Sequence, residues 1–413
     1  MKKSMVAVVR CESYDAGITR RAVARAFEIL GGPRAYFNQN ERIVLKPNMA
    51  SATRPEYNVT THPAVFSAVA ACLKESGVSL SYGDSPATAS CERAAHGTGM
   101  AQAARELAVP MDEFDTGKKV RYTKARALGS FPIANAVLNS DGLVSIPKFK
   151  THHVSRITGA VKNQYGCIPG LNKARLHARF PLPQDFAAFL VDVCSFVRPR
   201  LYVMDAVIAM QGSGPNTGDP NNLGVILMSA DPVALDSIAC RLVHCDPAFV
   251  TTNVAGRDAG LGTYDPDAVE TRGDSLEEFA DPHFKIPRKP VRGITGSGAL
   301  RILKDIVAPR PVINRRTCTK CGSCVNICPV SPKAVDWGPK GKTRPPQYDY
   351  SLCIRCYCCQ EACPERVITV KTPLAAHLVP VGARLGPLVV GRINRVRRLI
   401  KFQIRAKTKP EAS

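Results

Sequence analysis

The chain has 413 residues, 45% of them hydrophobic and 22% charged; at roughly 100–200 residues per domain this allows two to four folding units, and it excludes global disorder and a disulfide-stapled miniprotein. No apolar run reaches the roughly 18 residues of a membrane span, and the stretch at residues 5–9 before Arg10 is too short for a secretory signal. The formal net charge of +22 is lopsided: residues 1–284 hold 30 Lys and Arg against 28 Asp and Glu, while residues 285–413 hold 26 against 6.

Short β-rich runs recur at 6–9, 43–45, 78–82, 143–146, 201–204 and 225–228, with helical patterns between several of them. Over 17–30, Ile18, Ala22, Phe27 and Leu30 fall near helical spacing, and Gly31-Gly32 stops the element. Over 63–76, Val65, Val69, Cys72 and Leu73 share a face, with Thr60 or Thr61 as N-cap, Pro63 in the first turn and Gly77 after the end. Such alternation implies an α/β domain over 1–284, a mainly parallel sheet with helices on both faces.

Polar residues cluster just past these strands: Lys46-Pro47-Asn48, Gly83-Asp84-Ser85-Pro86, Lys148-Phe149-Lys150-Thr151-His152-His153, and Asp205 followed by the glycine-rich Gly212-Ser213-Gly214. In open α/β sheets the ligand site lies beyond the carboxyl ends of the strands, so these segments converge on one candidate cleft. Lys46, Asp84, Lys148, His152 and Lys162 are the catalytic candidates, and Asn48, Lys150, Asn163 and Asp205 the substrate-binding ones. Lys148, Lys150 and Lys162 together suit an anionic small molecule such as a carboxylate or phosphate. Each has a plainer reading. Asp84 can build an Asx turn, Lys46 can be a solvated strand end, and His152 and His153 can be ordinary loop residues. The Gly212–Gly214 turn can present backbone N–H groups to the same anion.

The segments Val44-Leu45-Lys46-Pro47-Asn48, Thr60-Thr61-His62-Pro63, Gly83-Asp84-Ser85-Pro86, Ile146 to His152, Gly159 to Gly166 and Ala230 to Asp236 resemble the domain of unknown function 362 family. The resemblance covers about residues 5–285 and implies fusion to a C-terminal two-cluster ferredoxin, but no particular reaction.

Residues 285–311 form a basic linker broken by Pro287, Pro290, Pro309 and Pro311, with one short helix near 298–307. Beyond it, eight of the 16 cysteines fall into two runs of the pattern C-x2-C-x2-C-x3-C-P, offset by 35 residues: Cys318, Cys321, Cys324, Cys328 and Cys353, Cys356, Cys359, Cys363. This spacing resembles the bacterial two-cluster ferredoxin and implies a small α+β domain over 312–372. Three closely spaced thiolates wrap three corners of a cubane, and in such ferredoxins the fourth Cys of each run ligates the other cluster. The resemblance therefore assigns two [4Fe–4S] clusters, one to Cys318, Cys321, Cys324 and Cys363, the other to Cys353, Cys356, Cys359 and Cys328. Paired zinc sites are the competing reading, for which a doubled triple-Cys run is a poor fit. Disulfides fit worse, since clusters need reduced thiols, which points to the cytoplasm. Cys358 is out of register, a spare ligand or an unrelated buried thiol. The loop 338–346 is basic and is either a docking surface or simply solvated. In the tail, 373–413, Val389, Ile393, Val396 and Ile400 mark a basic amphipathic helix that either packs back on the body or lies on an acidic protein or anionic membrane surface, peripherally. Nucleic acid is an unlikely partner for a chain that is 6% aromatic with a single Trp.

The sequence thus reads as an iron–sulfur redox protein relaying electrons between a redox partner protein and a ligand in the α/β domain. The alternatives are a non-enzymatic electron carrier or scaffold whose α/β domain binds a partner, and a metal-dependent α/β enzyme with structural clusters.

Overall fold

The structure, a computed structural model, describes residues 3–86, 88–289 and 308–373. The helices expected near 298–307 and in the basic tail lie outside the described residues. Eleven strands are found up to residue 289: β1 (Ser4–Arg10), β2 (Arg42–Pro47), β3 (Ser79–Tyr82), β4 (Gly117–Arg121), β5 (Ser130–Ala134), β6 (Gly142–Ile146), β7 (Lys148–His152), β8 (Arg156–Thr158), β9 (Leu201–Gln211), β10 (Asp219–Ser229) and β11 (Val269–Gly273). Nine of them form one sheet in the order β11-β1-β10-β9-β6-β2-β3, with β7 pairing to β9 and β8; β4 and β5 make a separate hairpin. The pairs β1/β11, β2/β3, β2/β6, β6/β9 and β7/β9 are parallel. The long β9/β10 hairpin makes β1/β10 and β10/β9 antiparallel, so the sheet is mainly rather than wholly parallel.

Period-two alternation in β1 shows why both faces are covered. Ala7 and Val9 join one core with Val23 and Phe27 of the helix Ala16–Ile29. Val6 and Val8 join the other, with Val233, Leu235 and Ile238 of the helix Pro232–Leu242. The first helix starts at Asp15, whose Oδ1 accepts the Ile18 N–H at 2.9 Å, and stops at Gly31 and Gly32, with φ of 93° and 81°. The helix Pro63–Lys74 corrects one expectation: His62, not Thr60 or Thr61, is its cap, through Nδ1 accepting from the Ala64 N–H at 3.2 Å. Thr61 is committed elsewhere, its Oγ1 accepting the Asn48 N–H at 2.8 Å and donating to the Ile146 carbonyl at 2.5 Å, which locks the ends of β2 and β6 together.

The cysteine-rich unit is small. Arg310–Ile313 pairs antiparallel with Ile368–Lys371, and Val335–Asp336 with Gln347–Tyr348. Its first strand begins inside the stretch read as linker, while at the other end Gly212 N–H donates to the Lys285 carbonyl and Ile286 is buried against the α/β domain. The 35-residue repeat is written into the backbone: Lys320 and Arg355 adopt φ of 60° and 61°, Gly322 and Tyr357 φ of 81° and 60°, immediately before the helices Ser323–Ile327 and Cys358–Glu361. Left-handed conformations at non-glycine residues are disfavoured locally, so their recurrence at matched positions reflects a demand of the thiol-bearing loops.

The unit docks on the sheet end where the strand-end segments lie. Asn216 Nδ2 donates to the carbonyls of Gln360 and Cys363 at 3.0 and 2.8 Å, and Gln360 Nε2 donates to Ser213 O and Thr217 Oγ1 at 3.0 and 2.9 Å. Arg366 donates to Asn216 O at 2.6 Å and stacks over Tyr57. The turn expected to offer N–H groups to an anion instead grips this unit, and Gly214 N–H is taken by Thr151 Oγ1 at 3.2 Å.

Candidate functional site

Lys46, at the end of β2, is fully buried, and its Nζ lies 2.8 Å from Asp84 Oδ1. Asp84 Oδ2 accepts the Met49 N–H at 2.7 Å. Asp84 also bonds the N–H of Ser85, but its chief partner is the buried ammonium, so it is more than a turn former. Gly166 closes over this pair: a Cβ there would fall 1.8 Å from Asp84 Oδ1 and 2.6 Å from Lys46 Nζ. Asn48 Nδ2 donates to Asn163 Oδ1 at 3.1 Å, and Asn163 Nδ2 to Ser145 Oγ at 2.9 Å.

The short helix Ala160–Asn163 carries Lys162 and Asn163. Its start is fixed by Asp236, whose carboxylate accepts Ala160 N–H at 2.6 Å and Val161 N–H at 3.3 Å; a Cβ on Gly159 would sit 2.1 Å from that carboxylate. Burial raises the Asp236 pKa to about 7. In the helix Asn172–Arg179, Lys173 and His177 are four residues apart and share a face. Lys173 Nζ donates to the Ile168 carbonyl, and His177 lies against Phe186 at 4.1 Å between ring centroids.

From the docked unit, Cys358 and Glu361 of the helix Cys358–Glu361 face the same space. Together these groups enclose a cavity of about 70 Å³ whose lining includes Asn48, Asp84, Lys162, Asn163, Cys358 and Glu361. Three polar groups in its wall lack a hydrogen bond among the described residues. The Thr158 hydroxyl is buried without a partner; Lys162, 8% exposed, makes no hydrogen bond or close ion pair; and His177, 5% exposed, makes ring contacts alone. A larger and more open hollow lined by Tyr82, His96, Arg105 and Met111 lies away from these groups.

The cavity takes in four of the nine candidate residues. Lys148 and Asp205, register partners on β7 and β9, form a fully buried ion pair at 2.9 Å, with Lys148 also 2.6 Å from the Tyr14 hydroxyl, which stacks on His62. Lys150 Nζ donates to the Val59 carbonyl at 2.6 Å. His152 reaches across the domain boundary. Its Nδ1 accepts from Val154 N–H at 3.0 Å, which assigns the proton to Nε2, and that proton is donated to Glu361 Oε1 at 2.8 Å. Lys46 stands behind Asp84. Of the three lysines expected to meet an anion, Lys162 alone lines the space. The sequence reading misses Thr158, Lys173, His177 and Glu361, although the spacing of four between Lys173 and His177 was available as a signal.

Low dielectric sets the charge states. Burial lowers Lys150 to about 7, with repulsion from Lys162 adding to it, and lowers Lys173 to about 7. It takes His152 to about 3 and His177 to about 4, so both imidazoles are neutral near pH 7. Burial opposes ionisation of Glu361, yet Lys162 and the His152 hydrogen bond hold it below the usual carboxylate range.

The cysteines of the C-terminal unit are grouped as two cubanes require. Cys328, Cys353, Cys356 and Cys359 line one pocket, which Cys358 also lines. Cys324 is surrounded electrostatically by Cys363, Cys321 and Cys318. Both crossed sets are thus gathered, and the left-handed loop residues give the concave backbone that iron–sulfur sites use. No three His, Cys, Asp or Glu side chains among the described residues close on a single metal-ion position. The thiols fit the cluster.

The profile of a family described as a domain of unknown function (DUF362) matches residues 43–241, and that of a 4Fe-4S dicluster domain matches residues 310–367. The thylakoid-associated protein sll1697 of Synechocystis sp. is 32% identical over 266 residues, 64% of this chain and 81% of that protein. The chain belongs to the DUF362 family. Its C-terminal unit is a [4Fe–4S] domain, which gives this DUF362 protein an iron–sulfur electron-transfer role. Among solved structures, the lactate racemase apoprotein of Thermoanaerobacterium thermosaccharolyticum is 12% identical with a TM-score of 0.38, covering 59% of this chain and 57% of that one. A Thermotoga maritima protein is 11% identical with a TM-score of 0.35, covering 57% and 60%. Both likenesses are too slight to bear on what the DUF362 domain does. No helix among the described residues is long and apolar enough to cross a membrane.

Proposed function

We propose that this DUF362 protein holds two [4Fe–4S] clusters and exchanges electrons between an external redox partner and a ligand bound in the cavity between its domains. The observation that carries the reading is the position of Cys358, which lines both the pocket framed by Cys328, Cys353, Cys356 and Cys359 and the cavity framed by Lys162, Asp84 and Glu361. A ligand there is within one side chain of the thiols of one cluster site.

The resemblance to two-cluster ferredoxins supports Cys318, Cys321, Cys324 and Cys363 as one ligand set and Cys353, Cys356, Cys359 and Cys328 as the other. The clusters supply one-electron chemistry when bound. The chain's own residues line the cavity, fix Glu361 through His152, and present the Lys162 ammonium. Cys321 is exposed, in a stretch that also exposes Arg315, Arg316 and Lys320. Lys342 lies over Trp337, which itself sits against Gly322. This basic surround favours an acidic redox partner. The thylakoid association of the cyanobacterial relative supports work near a membrane surface.

Anaerobic reconstitution followed by iron and sulfide analysis and EPR of the reduced protein tests the reading. The expected result is two cubanes per chain with interacting paramagnetic signals; iron-free or zinc-only protein overturns it.

A further inference from the structure

We infer that the interdomain cavity is a binding site for a small monocarboxylate, held by Lys162 with Thr158 and His177 as neutral hydrogen-bond partners. This rests on the reading above only in taking the cavity as the ligand site. A lysine 8% exposed and facing the cavity has lost most of its hydration, and no described residue within hydrogen-bond distance replaces it. A buried hydroxyl without a partner is also costly, and Thr158 Oγ1 is such a group in the same wall. His177 adds a neutral ring with its polar edge uncommitted. Three unsatisfied polar groups on one wall describe a missing acceptor-rich partner.

Charge and size narrow it. Asp84 and Glu361 also border the cavity, Asp84 matched to Lys46 and Glu361 bonded to His152. Because His152 is neutral, the Glu361 charge is answered chiefly by Lys162, and Lys173, with a pKa of about 7, adds part of a further positive charge to the lining; that balance suits at most a single negative charge and disfavours a dianion beside two carboxylates. At roughly 10–15 Å³ for each water-sized occupant, a cavity of about 70 Å³ holds a handful of non-hydrogen atoms. A carboxylate of two or three carbons fits both limits, with its oxygens toward Lys162 and Thr158 and its carbon end toward Ala174, Ile327 and Cys358.

Calorimetric titration of the anaerobic holoprotein with acetate and propionate tests the site, with oxalate and inorganic phosphate as dianions of similar bulk. Saturable binding of the monocarboxylates is expected, with the dianions at least about tenfold weaker. Lys162→Met is expected to weaken acetate at least about tenfold and Thr158→Val about threefold to tenfold, each variant keeping the visible absorbance of the wild type. No saturable binding of either monocarboxylate, equal binding of the dianions, or unchanged affinity in both variants overturns the inference. Should Lys162→Met fail to fold, Thr158→Val decides alone. Acetate binding to iron-free protein would sink the relay and leave the carboxylate site standing; two intact cubanes with no carboxylate binding would do the reverse.

Discussion

Lys150 takes an ammonium into a place water does not reach, and its partners are neutral: the Val59 carbonyl and, at 3.5 Å, Asn48 Oδ1. Its folded pKa of about 7 lies below the ordinary 10.5, so between those values the unfolded chain holds a proton that the folded chain has released. Stability therefore rises with pH across that window, and the penalty acts in full below it. The stability of the wild type minus that of Lys150→Met, from urea denaturation between about pH 6.5 and about pH 9.5, is expected to grow by up to about 1.4 kcal/mol per pH unit. A flat difference would mean that Lys150 keeps its proton. Lys46 and Lys148 differ in kind, since each faces a carboxylate, at 2.8 and 2.9 Å. The strand-end rule finds Asn48, Asp84, Lys162 and Asn163 in the sequence because a parallel sheet delivers successive strand ends to one edge. It cannot tell which lysine faces the cavity. That depends on pairing, and Lys148 is withdrawn because its register partner is Asp205. Glu361 is illegible in the α/β segment altogether, because it arrives from another domain.

At the scale of elements, the turn after β9 holds the helix Cys358–Glu361, which contributes Cys358 and Glu361 to the cavity wall. Asn216 does most of the joining, with one buried amide serving two carbonyls that end that helix. Asn216→Ala leaves both carbonyls short of a donor, at a cost of about 1–3 kcal/mol. Because the loss falls on the domain contact, it is expected to separate iron–sulfur bleaching from α/β unfolding in a thermal melt followed at two wavelengths. A single coincident transition, shifted or not, would show that the domains hold together without this contact. Strand positions are legible from hydrophobic runs, and most bounds fall within a residue or two of the runs at 6–9, 43–45 and 143–146. The run at 201–204 marks only the first part of β9, which stays largely buried on its way to Gln211, and the run at 225–228 only the buried end of β10, which begins at Asp219. The polar Asn221 and Asn222 hide the extension, since period-two patterning fades where a hairpin passes beyond the core. The thiol loops were legible throughout, since ligand spacing is a local property of the chain.

For the whole molecule, the decisive asymmetry is electrical: 26 basic residues against 6 acidic ones after residue 284, joined to a nearly neutral α/β domain. Within the described part of that segment, Arg315, Arg316 and Lys320 are exposed, as is Cys321, while Cys358 and Glu361 line the cavity. Exposed basic residues of this kind set up a positive field around the cysteine-rich unit. Steering by such a field raises encounter rates roughly 10- to 1,000-fold at low ionic strength, and it collapses as the screening length shortens to about 3 Å near 1 M salt. Reduction by an acidic [2Fe–2S] ferredoxin, followed by stopped-flow bleaching, is therefore expected to slow at least about tenfold between low salt and about 0.5 M, while reduction by an uncharged mediator holds steady. Lys320→Glu combined with Lys342→Glu should lower the ferredoxin rate strongly at low salt and little at high salt. A ferredoxin rate indifferent to salt and to both charge reversals would remove the basic residues as the entry point, because an acidic donor steered by Lys320 and Lys342 must lose its advantage when their charge is reversed or screened.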